Sequence, residues 1–516
     1  LRPALLLLHT LLLAAPLGAD SLSEAVDRAV GQGTAWLQKD QKPEGCWGDP
    51  KDQWAAGRTA LSLLALYKSG VQLFDPGFHK GLGFLRYAPI DRTYSAGVTL
   101  VLLSELQRPE DVEWMKNLVQ FLVTSQRNAP RIWAYPAGEP DLSNTQYACL
   151  GLKAAARRGI AVPKETWMGV VEYLVKQQEE DGSWSYRPGR FPSGSMTVAG
   201  ISNLLICRSE LKGHEPFERL RRKADGALER AWKWLDQKFT VDYNPSPTDA
   251  RFNDWLHYYL YGIERVGIFS GRTEIGGKKW YGEGAEKLLQ LQGREGAWGK
   301  HEDTCFALLF LRRASFTLGD SAPDVKADLD REAAARKVTV KKVEAPPRPK
   351  ERVPFLREWL VLGPFPSPSD TLFNEKFIDE EKIAPVAGLR SAKRKWVPAQ
   401  LAPGAKSIHF KEVIAHKDWA IAYAFAYVNS PEAGEAVLWI GTKDGVRAWW
   451  NGEMVLDQHV HRGFGHDLDH VRVRLQAGQN RLLLKVDHAD YDWQFSVRVA
   501  DDEGDPIPGL EAVVRK

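Results

Sequence analysis

Two short stretches carry the residue types that acid/base or metal chemistry needs. They are "NDWLHYYLY", Asn253 to Tyr261, and "HEDTC", His301 to Cys305. Asp254, His257 and Asp303 offer an acid, a base and an orienting group. Carboxylates of Asp254 and Asp303, brought by successive helices, would suit glycoside cleavage at a separation of roughly 5–10 Å. The set Asp254, His257, Asp303 and Cys305, with His301 as a substitute member, has the donors of a zinc site. Trp255 and the run Tyr258-Tyr259-x-Tyr261 could form a stacking wall for a flat ligand, although aromatics on a buried helix also serve as core.

Residues at comparable segment starts extend this group. They are Arg58, Ser95, Asn144, Gln146, Ser195 and Thr197. The positive end of a helix favours anions, so Arg58, Asn144, Gln146, Trp255 and Tyr258 are candidate ligand contacts. Ser, Asn and Asp are also the preferred N-cap residues, and helix starts alone would produce much of the same list.

A second histidine-rich stretch, "DQHVHRGFGHDLDH", runs from Asp457 to His470. His459 and His461 would share a face in an extended strand, and with His466 and His470 they form a second candidate metal group. The competing reading is a solvated polar loop. Trp449 and Trp450 would point to opposite faces of a strand, one in the core and one exposed, unless a bulge buries both. Gly-x-Ser-x-Gly, His-Glu-x-x-His and phosphate-loop motifs are absent from the sequence.

The elements that must position these side chains come in pairs from about residue 22 to 320. "GRTALSLLALYKSG", "SAGVTLVLLSEL", "NTQYACLGLKAAARRG", "SMTVAGISNLLICRSE", "DWLHYYLYGIERVG" and "DTCFALLFLRRAS" are apolar around most of their circumference and predict buried inner helices. The segments before them, such as "TWMGVVEYLVKQQ", have one apolar stripe and predict outer helices. Their period of roughly 50 residues predicts a ring of six helical hairpins. Gln41-x-x-x-Gly45-x-Trp47 recurs as Gln178-x-x-x-Gly182-x-Trp184 and Gln292-x-x-x-Gly296-x-Trp298. A worn copy runs from Gln126 to Trp133 with proline in the glycine place. The glycine is expected to end the outer helix, the indole to fill the gap between hairpins, and the Gln amide to reach a helix end.

With these motifs the region resembles the terpenoid cyclase and protein prenyltransferase superfamily of α/α-toroids. Squalene cyclases protonate an alkene through an Asp-x-Asp-Asp cluster, and "SGSMTVAG" stands at the comparable helix start here. Prenyltransferases bind zinc through an Asp and Cys two apart and a later His. Here Leu256 occupies the thiolate place and Asp303 the His-like place, so only Asp254 matches. The resemblance therefore implies the fold and leaves a zinc site open.

Residues 321–352 read as a charged, Pro-ended linker with one exposed helix at Val325 to Arg336. Beyond it, period-two runs such as "AIAYAFAYV" and "NRLLLKV", divided by Asp-Gly and Asn-Gly, predict an antiparallel β-sandwich over 353–516. "WIGTKDGVRAWWNGEMVLD" resembles galactose-binding-like jelly-roll modules, which implies carbohydrate binding. Residues 1–19, with Arg2 ahead of the apolar run Ala4–Ala15, read as a signal peptide, so a secreted or periplasmic mature chain without a transmembrane anchor is expected. Cys46, Cys149, Cys207 and Cys305 are irregularly spaced and are expected as buried free thiols.

The formal net charge of +3 over 516 residues, with no basic stripe carrying interleaved aromatics, does not recommend nucleic acid as a partner. The 19 tryptophans suit repeat packing or stacking on a carbohydrate or an apolar small molecule. Three classes follow: a ligand- or polymer-binding protein, a carbohydrate-active enzyme using rim carboxylates, and an isoprenoid-modifying enzyme.

Overall fold

Segments that are apolar on every side become helices packed on every side, while striped segments stay outside. A computed structural model describes residues 20–136, 138–190, 192–246, 255–318, 325–338, 346–366, 373–415, 417–458, 464–488 and 493–514. The expected signal segment 1–19, together with Asp254, His459 and His461, lies outside the described residues. Helices come first along the chain and an antiparallel β-sheet region follows. The chain divides into two compact units, Leu1–Ile90 with Glu264–Lys342, and Asp91–Ile263 with Val343–Lys516.

The helices alternate outer and inner in chain order. They are α1 (Leu22–Lys39), α2 (Ala55–Lys68), α3 (Pro76–Tyr87), α4 (Thr93–Leu106), α5 (Val112–Ser125), α6 (Leu142–Arg157) and α7 (Lys164–Gln177). There follow α8 (Gly194–Glu210), α9 (Glu215–Lys238), α10 (Leu256–Ser270), α11 (Trp280–Leu291), α12 (His301–Leu311) and α13 (Lys326–Ala335). In the first unit the inner helices α2 and α12 pack side by side, and α12 also packs on α1. The last hairpin therefore meets the first. In the second unit α4 packs on α6 and α6 on α8, with α5, α7 and α9 outside them.

The helix expected as an exposed part of the linker is α13, and it is docked instead. Leu329 and Ala333, one turn apart, are buried, and the helix packs against α1 and α11. Arg336 at its end binds Glu286 and Glu283 of α11 at 2.7 and 3.3 Å. Beside it Asp20–Ser21 (β1) pairs antiparallel with Lys337–Val338 (β4), and Glu274–Ile275 (β2) with Lys278–Lys279 (β3).

The Gln-Gly-Trp punctuation is one clamp repeated. Trp47, Trp184 and Trp298 donate from Nε1 to the carbonyls of Leu37, Leu174 and Leu288 at 2.8, 3.0 and 2.7 Å. Each acceptor is in the last turn of the preceding outer helix, where carbonyls lack helical partners. Gln41, Gln178 and Gln292 donate to their own Gly45, Gly182 and Gly296 and also to Gly77, Ala227 and Ala29 of the next outer helix. The indole thus serves the end of the preceding outer helix, and the amide ties the loop to the next one, at its first turn for Gln41 and further along for Gln178 and Gln292.

The glycines do not terminate the helices, which end residues earlier. They have φ of +98°, +95° and +93°, and a Cβ on them would lie 2.6 to 2.7 Å from the carbonyl oxygens of Lys80, Arg230 and Gln32. Only glycine allows both the left-handed backbone and that approach. In the worn copy Trp133 Nε1 still reaches Leu122 O at 2.7 Å, and Gln126 bonds Arg131 O and Thr166 O. Arg131, rather than Pro130, supplies the carbonyl that glycine supplies elsewhere.

The β region has a seven-stranded and a four-stranded antiparallel sheet. The larger joins Glu358–Pro366 (β5), Val397–Gln400 (β8), Ala420–Ser430 (β10), Val446–Trp450 (β12), Glu453–Gln458 (β13), Gly478–His488 (β15) and Glu511–Val513 (β17). The smaller joins Ile408–His409 (β9), Gly434–Thr442 (β11), Asp469–Leu475 (β14) and Gln494–Ala500 (β16). Arg390–Ser391 (β6) and Arg394–Lys395 (β7) form a separate hairpin.

Strand β10 is buried on both faces. Ala422, Ala424 and Ala426 belong to the larger cluster with residues of the four-stranded sheet, while Tyr423, Phe425 and Tyr427 lie under Phe373 and Trp396. Trp449 and Trp450 are both core, one in each cluster, with an irregular register to β13 between Ala448 and Trp449. Lys485 is fully buried on the aromatic side, 3.0 Å from Glu380 Oε1, and Tyr423 donates to that same oxygen at 2.6 Å.

Candidate functional site

In the first unit the starts of α2 and α12 gather charge. Arg58 bridges Asp52 at 2.7 Å and Glu302 at 2.8 Å. Burial works against the Arg58 charge but its two carboxylate partners outweigh it and raise its pKa. Burial likewise tends to raise Glu302, yet Arg58 holds that carboxyl below its ordinary range. Arg58 is therefore spoken for within the fold.

One residue away His301 joins a hydrogen-bonded chain with Asp40 and Ser62, neither of which is among the segment-start residues. His301 Nδ1 lies 3.2 Å from Asp40 Oδ2, and its Nε2 lies 2.8 Å from Ser62 Oγ and 3.7 Å from Cys305 Sγ. The order carboxylate, imidazole, hydroxyl matches that of acyl-transfer enzymes. Ser62 is fully buried in the interior of α2, and its hydroxyl also reaches Arg58 O at 2.8 Å. Interior helix amides are consumed by helix bonds, so α2 itself offers the hydroxyl no oxyanion donor. The chain ties hairpins together. Asp40 escaped the sequence reading because it sits at an outer-helix end, and Ser62 because it lies a turn deeper than the rim.

The zinc set does not fit the described residues. Asp303 accepts the backbone N–H of Lys300 at 3.1 Å, which is a capping role. Cys305 is fully buried, burial raises its thiol far above the ordinary value, and its sulfur lies 3.7 Å from His301 Nε2 and 3.9 Å from Ser62 Oγ. Asp254 lies outside the described residues, so the expected pair with Asp303 has one described member. His257 opens α10 and is half-buried. His466 bonds Ser496 Oγ at 3.0 Å and His470 packs on the Trp439 ring at 4.8 Å, so these two serve separate neighbours. Among the described residues no three His, Cys, Asp or Glu side chains gather as a metal ion requires. All four cysteines are buried free thiols.

In the second unit the starts of α4, α6 and α10 build an aromatic wall. Gly97 and Gly151 let α4 and α6 touch: a Cβ on Gly97 would lie 2.2 Å from Tyr147 O. That approach brings Tyr94 against Tyr147 at 4.1 Å between centroids, with the ring planes tilted by 49°. Tyr147 lies 6.3 Å from Tyr258, and Tyr258 lies 6.1 Å edge-on to Trp255. Tyr258 OH donates to the buried Gln146 Oε1 at 2.7 Å, with Ser143 Oγ at 3.4 Å. Trp255 itself is 58% exposed. Of the expected ligand contacts, Gln146, Trp255 and Tyr258 come together here.

Asn144 belongs to a neighbouring group. Its backbone N–H and side-chain Nδ2 both donate to Asp141 at 2.8 Å. Asp141 caps α6, is fully buried, and has its carboxyl raised by that burial against the lowering effect of Asn144. Burial and then the Asp141 charge raise Tyr186 beside it. Ser193 caps α8 through its hydroxyl, while Ser195 and Asn244 bond each other, so these helix starts are largely capping sites.

The family model for the prenyltransferase alpha-alpha toroid domain matches residues 18–336. No curated protein matches the chain. Among solved structures, type II terpene cyclase MstE from Scytonema is 12% identical, with 56% of this chain and 99% of that one covered at a TM-score of 0.37. A protein from Actinoplanes is 15% identical, over 56% and 100%, at 0.37. A possible member of the GH105 family from Klebsiella pneumoniae is 14% identical, over 61% and 98%, at 0.41. Likenesses of this size say nothing of what the chain binds.

Proposed function

The chain belongs to the prenyltransferase alpha-alpha toroid family through residues 18–336, and on that basis we propose that it is a ligand-binding protein whose toroid holds a ring-bearing molecule of the carbohydrate class. One observation carries the reading. Trp255 stands 58% exposed against Tyr258, whose hydroxyl is fixed by Gln146. An indole of that exposure presents a flat apolar face, while Ser143 and Gln146 offer hydroxyl and amide partners close by, the combination that suits a sugar ring. Export is part of the reading, supported by the apolar stretch Ala4–Ala15. The β-sandwich over 353–516 would serve as an accessory module.

A glycan array on the purified full-length protein, followed by calorimetric titration of any hit, tests this. Trp255→Ala should weaken the hit roughly tenfold or more. Equal affinity of the variant, or no binding to any glycan, would overturn the reading.

A further inference from the structure

The β6–β7 hairpin concentrates positive charge in a short, largely exposed ribbon. Arg390 is the cross-strand partner of Lys395 and Ser391 of Arg394. Ala392 and Lys393 form the turn at φ of +47° and +63°, a left-handed backbone that side chains other than Gly, Asn or Asp seldom adopt. The ribbon is held in that shape from its base. Trp396 is buried, its Nε1 donates to Ser391 Oγ at 3.1 Å, and its backbone N–H donates to Leu389 O at 2.9 Å.

Arg390, Lys393 and Lys395 are exposed, and Arg394 lies over the Phe365 ring at 5.8 Å. Among the described residues none of these four cations has an ion-pair partner. Like charges directly opposite on paired strands repel, so the Arg390–Lys395 register works against the hairpin unless an anion lies between. The turn strain and the cross-strand repulsion fall at one place, and a bound polyanion would relieve the second.

We propose that this hairpin is a docking element for an acidic polysaccharide, one bearing uronate or sulfate groups. Arg390 and Arg394 would take carboxylate or sulfate oxygens with two donors each, and the lysines would act as point charges. A nucleic acid fits less well. The nearby rings of Trp396 and Phe365 are buried and leave no platform for bases. A membrane surface would want an apolar edge, and the ribbon exposes only Leu389. The inference stands apart from the ring-ligand reading, because it uses charge and not stacking.

Affinity electrophoresis of the full-length protein in gels containing polygalacturonate, heparin or neutral dextran is the test, at about 150 mM salt to screen diffuse attraction. The acidic polymers should retard the protein and dextran should not. The combined variant Arg390→Gln, Lys393→Gln, Lys395→Gln should lose roughly tenfold in affinity or more. Lys395→Glu guards against a folding failure, since it turns the repulsive pair into an attractive one. It should keep or raise the unfolding midpoint and still lose retardation. Unchanged retardation in either variant, no retardation of the wild type, or tighter binding to single-stranded DNA or phosphatidylserine vesicles would overturn the proposal.

Discussion

His301 Nδ1 stands 3.2 Å from Asp40 Oδ2, and this contact fastens the start of α12 to the end of α1. The ring is 14% exposed, and burial pushes its pKa below the ordinary value, against the pull of Glu302 and Asp40. The surrounding charges are Asp40 with Lys42 beside it, Arg58 with Asp52, and Glu302.

A pH dependence follows with a definite sign. The folded chain binds the His301 proton less readily than the unfolded chain, so acid favours unfolding. This contribution is complete above the ordinary histidine value of about 6.5 and is lost progressively as pH falls below it. Thermal unfolding followed by circular dichroism should show a falling midpoint between about pH 7.5 and 5.5, with a shallower fall in His301→Gln. Identical slopes would remove His301 from the account.

The clamp glycines should tolerate no side chain. Gly182→Ala combines a left-handed φ of +95° with a Cβ 2.6 Å from Arg230 O, and is expected to cost about 1–3 kcal/mol or more. Gly213→Ala also has positive φ, yet its Cβ would meet open space, so it should cost less. Denaturant midpoints of the two variants separate contact from backbone strain.

Tyr258 and Trp255 should part company in stability. Tyr258→Phe leaves the buried Gln146 Oε1 without its donor and should cost about 1–3 kcal/mol. Trp255→Ala removes an exposed ring and should stay within about 0.5 kcal/mol of wild type. Urea titrations would show this, and a large loss in Trp255→Ala would mean the indole is structural.

The Lys485–Glu380 pair in the β-sandwich is buried on both sides. Lys485→Met leaves the buried Glu380 carboxylate without its countercharge and with the Tyr423 hydroxyl as its remaining side-chain donor, with an expected loss of about 3–5 kcal/mol. Replacing both, Lys485→Met with Glu380→Gln, should recover part of it. Full additivity of the single losses would show that the two groups do not act as a pair.

What the sequence made legible was periodic. All-round apolar segments named the inner helices, period-two runs named the strands, and "AIAYAFAYV" even separated the small face of β10 from its aromatic face. The clamp was visible too, but not the bonds from its indoles to Leu37, Leu174 and Leu288, because spacing does not tell which polar atom meets which carbonyl. The site was legible only where neighbours in space were neighbours in pattern, as with Trp255 and Tyr258. Asp40, Ser62 and His301 join three separate helical segments, and nothing in the spacing singled out Asp141, whose weight lies in its burial. The helix of residues 326–335 read as exposed because two small apolar positions, Leu329 and Ala333, sufficed to dock it.

The clamp from Gln292 to Ala29 has the same bonds as the clamps between hairpins that follow one another in the chain. Contact between α11 and α1 thus owes nothing to covalent succession, and the packing does not register where the polypeptide starts. A gene rearranged to open in the Gly70–Asp75 loop, with Arg336 joined to Leu22 by a short tether, should still bring α11 and α12 against α1. The 2.7 Å bond from Leu22 N to Arg336 O already holds those two ends together.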